Sequence, residues 1–137
     1  MSLNRVRLQP YIYQVGVADL TPDDLRWLDK AIKGSYRGLL KRDEVLVQVA
    51  KGLVQLWRVG KWEGILITEI LEHGLVHWHS AAGRGLITKL DVIIKFLCEL
   101  CKVNNCTHWE VSTGRKGLQR IFEKRLRENT RTYFMEI

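Results

Sequence analysis

One segment constrains the fold of this 137-residue chain more than any other: Leu75 to Leu97, LVHWHSAAGRGLITKLDVIIKFL. A short apolar strand, Leu75 to His79, runs into a turn of small residues, Ser80 to Gly85, and then directly into an amphipathic helix. Glycines let a backbone approach a phosphate closely, and the free N–H groups and dipole of a helix N-terminus favour negative charge. The segment therefore predicts a site for a phosphate-bearing ligand at the start of this helix.

Length and composition predict a single soluble domain spanning residues 1–137, with enough chain for one hydrophobic core. No apolar run reaches the roughly 18 residues that cross a bilayer, because Lys89, Asp91 and Lys95 interrupt the longest one. The N-terminal sequence has no hydrophobic core of the secretory type. We therefore expect a cytoplasmic protein that does not enter membranes.

Three cysteines, Cys98, Cys101 and Cys106, lie close together. An odd number without an export signal favours reduced thiols over disulfides. Together with His108, their spacing also allows tetrahedral zinc binding. However, Cys98 and Cys101 fall in a helical segment with one apolar stripe, where buried free cysteine is common. We expect structural thiols and no metal.

The net charge of +7 is concentrated near the C-terminus, where seven basic and two acidic residues lie between Arg115 and Arg131. A solvated helix face is the simplest explanation. The alternatives are a site for an anionic cofactor, an acidic partner or nucleic acid. Apart from Phe122, aromatic residues do not alternate with the basic ones, so nucleic-acid binding is the least favoured alternative.

The hydrophobic patterns predict the order β-α-β-β-β-α-β-α-β. Thr21 as N-cap and Pro22 begin the first helix, which ends at Gly34 or Gly38. The predicted strands are 6–17, 45–59, 61–71, 75–79, 107–113 and 131–137, and the later helices are about 86–102 and 118–128. The middle strands form an antiparallel meander, and a right-handed crossover makes the fifth strand parallel to the fourth. The predicted fold is α/β (α+β), with a mixed, mainly antiparallel central sheet and helices on both faces.

This order, the glycine turn before the central helix and the closing helix and strand resemble the GNAT N-acetyltransferases. In that family a loop of Arg or Gln, two residues, Gly, one residue, and Gly or Ala wraps the pyrophosphate of acetyl-CoA. The matching residues here are Ser80, Gly83 and Gly85, with Ser80 in place of Arg or Gln. The resemblance implies that pantetheine passes between the fourth and fifth strands, which splay apart. It implies these cofactor-binding residues: Val76, Trp78, Ser80, Ala81, Ala82, Gly83, Arg84, Gly85 and Leu86, with Arg115 and Arg120 as further phosphate partners.

The resemblance also defines what catalysis would require. The family usually has a Tyr after the fifth strand that protonates the leaving thiolate, but Phe122 stands at or next to that place and cannot donate a proton. Direct attack needs a neutral amine, so we expect a base on the fourth or a neighbouring strand. The candidates are His77, His79, Glu69 and Glu110. His77 and His79 share one strand face, and imidazole accepts a proton near neutral pH. The alternative is that these side chains only hydrogen-bond to their neighbours.

Three functions follow as expectations. The first is acetyl transfer from acetyl-CoA to a small-molecule or protein amine. The second is a non-catalytic interaction or structural protein of the same fold. This alternative follows because the family's Arg or Gln in the loop, its Asn after the fifth strand and its Tyr in the following helix are missing. The third is nucleic-acid binding through the basic C-terminal helix.

The compact size and five tryptophans resemble the small, divergent GNAT-like proteins of tailed phages. Most tryptophans are expected in the core, and an exposed Trp surface would serve a homodimer or an assembly partner.

Overall fold

A mixed sheet of seven strands organises the chain, as seen in a computed structural model that describes residues 12–34, 41–60, 63–72, 74–112, 120, 127–129 and 132–136. The strands are β1 (Ile12–Val15), β2 (Gln55–Val59), β3 (Gly64–Leu71), β4 (Leu75–Gly83), β5 (His108–Ser112), β6 (Arg127–Asn129) and β7 (Thr132–Glu136). Their order in the sheet is β1-β2-β3-β4-β5-β7-β6. The β4–β5 pair is parallel and the other neighbouring pairs are antiparallel. The predicted mixed, mainly antiparallel sheet is confirmed.

Three α-helices within the described ranges cover the two faces of this sheet: α1 (Pro22–Lys33), α2 (Arg42–Ala50) and α3 (Leu90–Val103). Helices α1 and α2 pack on one face, around Leu28, Ala31 and Val45. Helix α3 packs on the other face, around Phe96 and Leu97. We call these the α1/α2 face and the α3 face.

Helix α1 begins as the sequence predicts. Thr21 Oγ1 accepts from the Asp24 amide at 3.2 Å, and the Thr21 amide donates to the Asp24 carboxylate at 2.9 Å. This reciprocal capping box satisfies two N–H groups that a helix start leaves without partners. The helix ends at Gly34, one of the two predicted stops.

The predicted strand at 45–59 is wrong over its first half, because residues Arg42–Ala50 form α2. The run Val45-Leu-Val-Gln-Val has the β-branched composition of a strand. Two effects favour the helix instead: Asp43 and Glu44 occupy the positively polarised first turn, and Val45 is buried against the α1/α2 face. Tertiary packing thus overrides local propensity here, and the true strand begins at Gln55.

Two further boundaries differ from the prediction. Strand β4 continues four residues past His79, to Gly83, so the turn does not begin at Ser80. The segment Arg127–Asn129 is not helical, because it pairs with β7 as an antiparallel strand. Of the remainder of the predicted helix 118–128, only Arg120 is among the described residues, and it is helical.

Most of the described tryptophans are in the core. Trp57, Trp78 and Trp109 are buried on the α3 face, whereas Trp27 is half-buried with the Lys30 ammonium 5.0 Å from its ring centroid. None of these four gives the exposed Trp surface that an assembly partner would use, and Trp62 lies outside the described residues. No helix in the described ranges is long and apolar enough to cross a membrane.

The cysteines lie on and just after α3, and Cys101 and Cys106 are buried. Burial, followed by the neighbouring Cys106 and Cys98, raises the pKa of Cys101 to about 12. A thiol of this kind stays protonated at neutral pH, whereas metals bind the thiolate. No group of three or more His, Cys, Asp or Glu within the described segments is arranged to hold a metal.

A buried ion pair joins α1 to β2. Asp24 is fully buried and accepts from Arg58 Nη2 at 2.6 Å and from Arg58 Nε at 3.0 Å. Burial raises the pKa of Asp24, but the hydrogen bonds from Arg58 and Thr21 outweigh that effect and hold the pKa below its ordinary value. The pair thus stabilises the contact between α1 and the sheet only while Asp24 is ionised.

We expect Asp24→Asn to lower the free energy of unfolding at neutral pH by about 3–5 kcal/mol, because it leaves the partly buried Arg58 without its carboxylate. The folded-state pKa of Asp24 is depressed, so its contribution is present above the unfolded pKa of about 3.9 and is lost as the pH falls through the folded value. The difference between wild type and variant in urea unfolding should therefore shrink on acidification. Asp23→Asn, in the exposed pair with Arg26, is the control and should cost less than about 1 kcal/mol. A difference independent of pH would contradict this account.

Candidate active site

A one-residue bulge in β4 determines the geometry of the site. The β3–β4 register shifts between Ile67, which lies opposite Ser80, and Thr68, which lies opposite Trp78. His79 is therefore the extra residue of the bulge and has no opposite residue in the β3–β4 register. Strict alternation along the strand does not reveal a bulge, and the sequence analysis missed it.

The described pairing of β4 with β5 ends next to this bulge. Their parallel pairing ends at Trp78, opposite Val111, whereas β4 continues beside β3 to Gly83. From His79 onward, the β5 side of β4 has no partner strand in the described part of the sheet. The described pairing therefore ends next to the bulge, and the divergence that the family resemblance implies stays a prediction.

The bulge also explains the position of Ser80. Its Oγ donates to the Ala31 carbonyl in α1 at 2.6 Å, and the residue is only 8% exposed. Trp78 Nε1, on the α3 face, donates to the Ser80 carbonyl at 3.0 Å. Ser80 thus links β4 to α1, and its hydroxyl is engaged within the protein. The Arg or Gln position of the family loop is occupied here by a residue with a structural hydrogen bond.

Two His–Glu pairs cross three strands beside the bulge. His79 Nε2 lies 2.8 Å from Glu69 Oε1 on β3, and His77 Nδ1 lies 2.7 Å from Glu110 Oε1 on β5. The two imidazole rings meet edge to face, with centroids 4.4 Å apart. All four residues that the sequence offers as base candidates are therefore in one cluster.

The hydrogen bonds determine which ring nitrogens are free. When Glu69 is ionised, it accepts from the Nε2–H of His79, and the Nδ1 lone pair of that ring can take a proton. Burial lowers the pKa of His79, the neighbouring His77 lowers it further, and Glu69 only partly offsets these effects. His79 is therefore neutral at neutral pH, which is the form that a general base requires.

The turn into α3 is shorter than the predicted one. Residues Ser80 to Gly83 belong to β4, so the turn consists of Arg84 to Leu86 and is followed by a 3₁₀ turn at Ile87–Lys89. Gly85 has a φ of +64°, which non-glycine residues rarely adopt. The amides of Gly85 and Leu86 donate to no backbone carbonyl in the described part of the chain. These two amides precede the 3₁₀ turn that leads into α3, where they can donate to an anion.

Gly83 is required for strand packing rather than for approach to a ligand. A Cβ at Gly83 would lie 2.8 Å from the Glu63 carbonyl oxygen and 3.0 Å from Gly64 Cα. A Cβ at Gly64 would lie 2.7 Å from the Ala82 carbonyl oxygen. The ends of β3 and β4 thus come very close together, beyond the part of β4 that is described as paired with β5.

Two cations and one carboxylate surround the turn. Arg84 is exposed, and its amide donates to the Glu63 carbonyl at 2.7 Å. Lys89 Nζ donates to the Arg84 carbonyl at 2.9 Å and pairs with the Glu63 carboxylate. The hydrogen bond and charge of Lys89 lower the pKa of Glu63. Sequence reasoning missed Lys89 and Glu63, because only the approach of β3 to β4 brings them together.

The other predicted cofactor residues have varied surroundings. Val76 and Trp78 are buried on the α3 face, Ala81 and Ala82 are buried within the sheet, and Leu86 is partly buried against the α3 core. Arg120 is exposed, and Arg115 and Phe122 lie outside the described residues.

A cavity of about 350 Å³ adjoins His79 on the α1/α2 face. Its lining residues are Glu44, Val45, Gln48, Val54, Ile67, Glu69 and His79. The sequence analysis did not find Glu44 and Gln48 because it assigned residues 45–59, which directly follow Glu44 and include Gln48, to a strand. The signal that could have found them is the acidic pair at 43–44, which is typical of the first turn of a helix.

The coupling between the two histidines can be tested directly. His77→Gln should raise the pKa of His79, because it removes the imidazole whose electrostatic interaction lowers that pKa. Glu69→Gln should lower it further, because it removes the carboxylate that favours the imidazolium. An NMR titration of the His79 ring measures both shifts. Shifts in the same direction would contradict this picture of the cluster.

Solved structures similar to the chain cover most of its length. An IAA acetyltransferase from Bacillus cereus has a TM-score of 0.62 at 13% identity, covering 92% of this chain and 98% of that one. A GNAT-family acetyltransferase from Staphylococcus aureus has a TM-score of 0.62 at 14% identity, covering 91% and 97%. A GNAT-family acetyltransferase from Elizabethkingia anophelis with acetyl-CoA bound has a TM-score of 0.63 at 11% identity, covering 92% and 97%.

No protein-family model matches the sequence, and no curated protein matches it. The similarity therefore lies in the arrangement of strands and helices, which the first resemblance also rested on. One fold of this kind can support many different functions, so the activity depends on the residues of the site. The chain has the fold of the GNAT acetyltransferases.

Proposed function

We propose that this chain is an acyl-CoA-dependent N-acyltransferase that transfers an acetyl group from acetyl-CoA to an amine by direct attack. The observation that carries the proposal is the His79–Glu69 pair at the bulge, next to the last described pairing of β4 with β5. A proton acceptor at that point lies beside an unpaired strand edge. The fold adds support, since its solved neighbours are acetyltransferases.

The unpaired edge of β4 and the turn at Gly85 are the parts that fit acetyl-CoA. Extended backbone with free N–H and C=O groups suits an amide-containing chain such as pantetheine. The free amides at Gly85 and Leu86, the start of α3 and the Arg84 guanidinium suit a pyrophosphate. Lys89 would join them once a phosphate competes with Glu63 for its ammonium.

Acetyl-CoA would supply a thioester carbon for attack by the amine. The acceptor nitrogen must lose a proton to attack, and His79 Nδ1 can take it while Glu69 steadies the resulting imidazolium. An N–H group at the unpaired bulge can donate to the oxygen that gains charge during attack. For an acceptor that binds as an ammonium, the nitrogen would lose a second proton as the amide forms, and one of the two protons would pass to solvent. The C–S bond would break, and the leaving thiolate would take the other proton. His79 can return that proton without a tyrosine.

We expect CoA binding to depend on the turn. Arg84→Glu should weaken binding of CoA by roughly tenfold or more, since a charge-assisted hydrogen bond is worth about 1.5–3 kcal/mol. Lys95→Glu, at an exposed position on α3, changes the charge equally and should leave the affinity nearly unaltered. Isothermal titration measures both constants. Gly83 is unsuitable for this test, because any side chain there meets the β3 backbone. Absence of CoA binding at millimolar concentration would overturn the proposal.

We expect His79→Gln to lower kcat by about 10²–10⁴-fold, which is the usual contribution of a general base. The Kd for CoA should stay unchanged. In the wild-type enzyme, kcat/KM should rise with pH as His79 loses its proton. This rise should be absent in the variant. His108→Gln, on β5 but outside the cluster, is the control and should keep near wild-type rates. CoA binding without turnover by the wild-type chain would favour the non-catalytic alternative.

A further inference from the structure

The cavity beside His79 has a size that suits a small molecule. Its volume of about 350 Å³ is at the lower end of the range for ligand pockets, about 300–1,000 Å³. It lies between α2 and the sheet and reaches β4 at the bulge residue itself. A molecule in this cavity would therefore lie directly against the proposed base.

The polar lining is anionic. Glu44 from α2 and Glu69 from β3 contribute two carboxylates, and no lysine or arginine is among the described residues that line the cavity. The N-terminus of α2 opposes them with a dipole equivalent to only about half a positive charge. His79 adds no charge in its neutral form. The net field in the cavity therefore favours a cation and disfavours a carboxylate.

The remaining wall is mostly aliphatic. Val45 and Ile67 are buried core residues, and Val54 is partly buried beside them. An apolar wall of this kind favours a short hydrocarbon chain, because burial of that chain removes apolar surface from water. Gln48 adds one amide that can donate or accept.

We propose that the acceptor is a small primary alkylamine, favoured when it carries a second positive charge and excluded when it carries a carboxylate. This inference rests on the proposed acyl transfer for its chemistry, but the cavity accounts for binding by itself. The reacting amine lies near Glu69 and His79, the chain packs on Val45 and Ile67, and Glu44 attracts the second cation. A peptide lysine could place only its side chain in a cavity of this size and would bring no second cation to Glu44, so small diamines are preferred.

Three probes of equal chain length separate these effects: 1,4-diaminobutane, butylamine and 4-aminobutanoate. We expect the affinity to fall in that order, measured by NMR titration of the wild-type chain without CoA and read from the His79 ring and the Ile67 methyl groups. Glu44→Gln should weaken binding of the diamine by roughly threefold to tenfold and leave butylamine nearly unchanged, since it removes one ion pair. Asp43→Asn is the matched control, because Asp43 shares the first turn of α2 and does not line the cavity.

The outcomes distinguish this inference from the proposed function. Binding of the diamine in the expected order, without any CoA binding, would keep the amine site and remove the acyltransferase. Equal binding of 4-aminobutanoate, or shifts that bypass His79 and Ile67, would overturn the inference even if CoA binds. Preferred acetylation of a lysine peptide over all three probes would overturn it as well.

Discussion

The arrangement of the site depends on one extra residue in β4. With a regular ladder, His79 would oppose a residue of β3, and successive side chains would alternate between the two faces. The bulge instead leaves His79 without an opposite residue in the β3–β4 register. Both His79 and Ser80 therefore turn toward α1 and α2. Because the described β4–β5 pairing ends at the neighbouring Trp78, the imidazole and the cavity lie beside the part of β4 that has no described partner on that side.

Such a break in the sheet has to be stabilised by its surroundings. Ser80 bonds to α1, and Trp78 supplies a donor for the Ser80 carbonyl across the bulge. On the neighbouring strands, Trp57, Thr68 and Gln55 form a buried hydrogen-bonded chain, with contacts of 2.8 and 3.0 Å. Buried polar groups that are fully paired favour one register over its alternatives. The polar contacts inside this sheet therefore hold an irregular strand in one conformation.

The sequence predicted what depends on local chemistry and missed what depends on tertiary contact. The cap at Thr21, the parallel β4–β5 pair and the helices on both faces follow from capping residues, apolar patterns and connection rules. The bulge does not, because its signal is a register shift against another strand. Helix α2 was missed because Val45 to Val49 favour a strand, and packing reverses that preference. The four base candidates were found by residue type, but their pairing required the positions of three strands.

The close approach of Gly64 and Gly83 has a consequence for how this protein can vary. A methyl group on either residue meets backbone atoms of the opposite strand, which cannot rotate away as a side chain can. Neither position can therefore change alone, and a change at both requires the two strands to separate at the turn that leads into α3. The two glycines therefore let β3 and β4 approach backbone to backbone at this end of the sheet, and a side chain at either position would push the two strands apart.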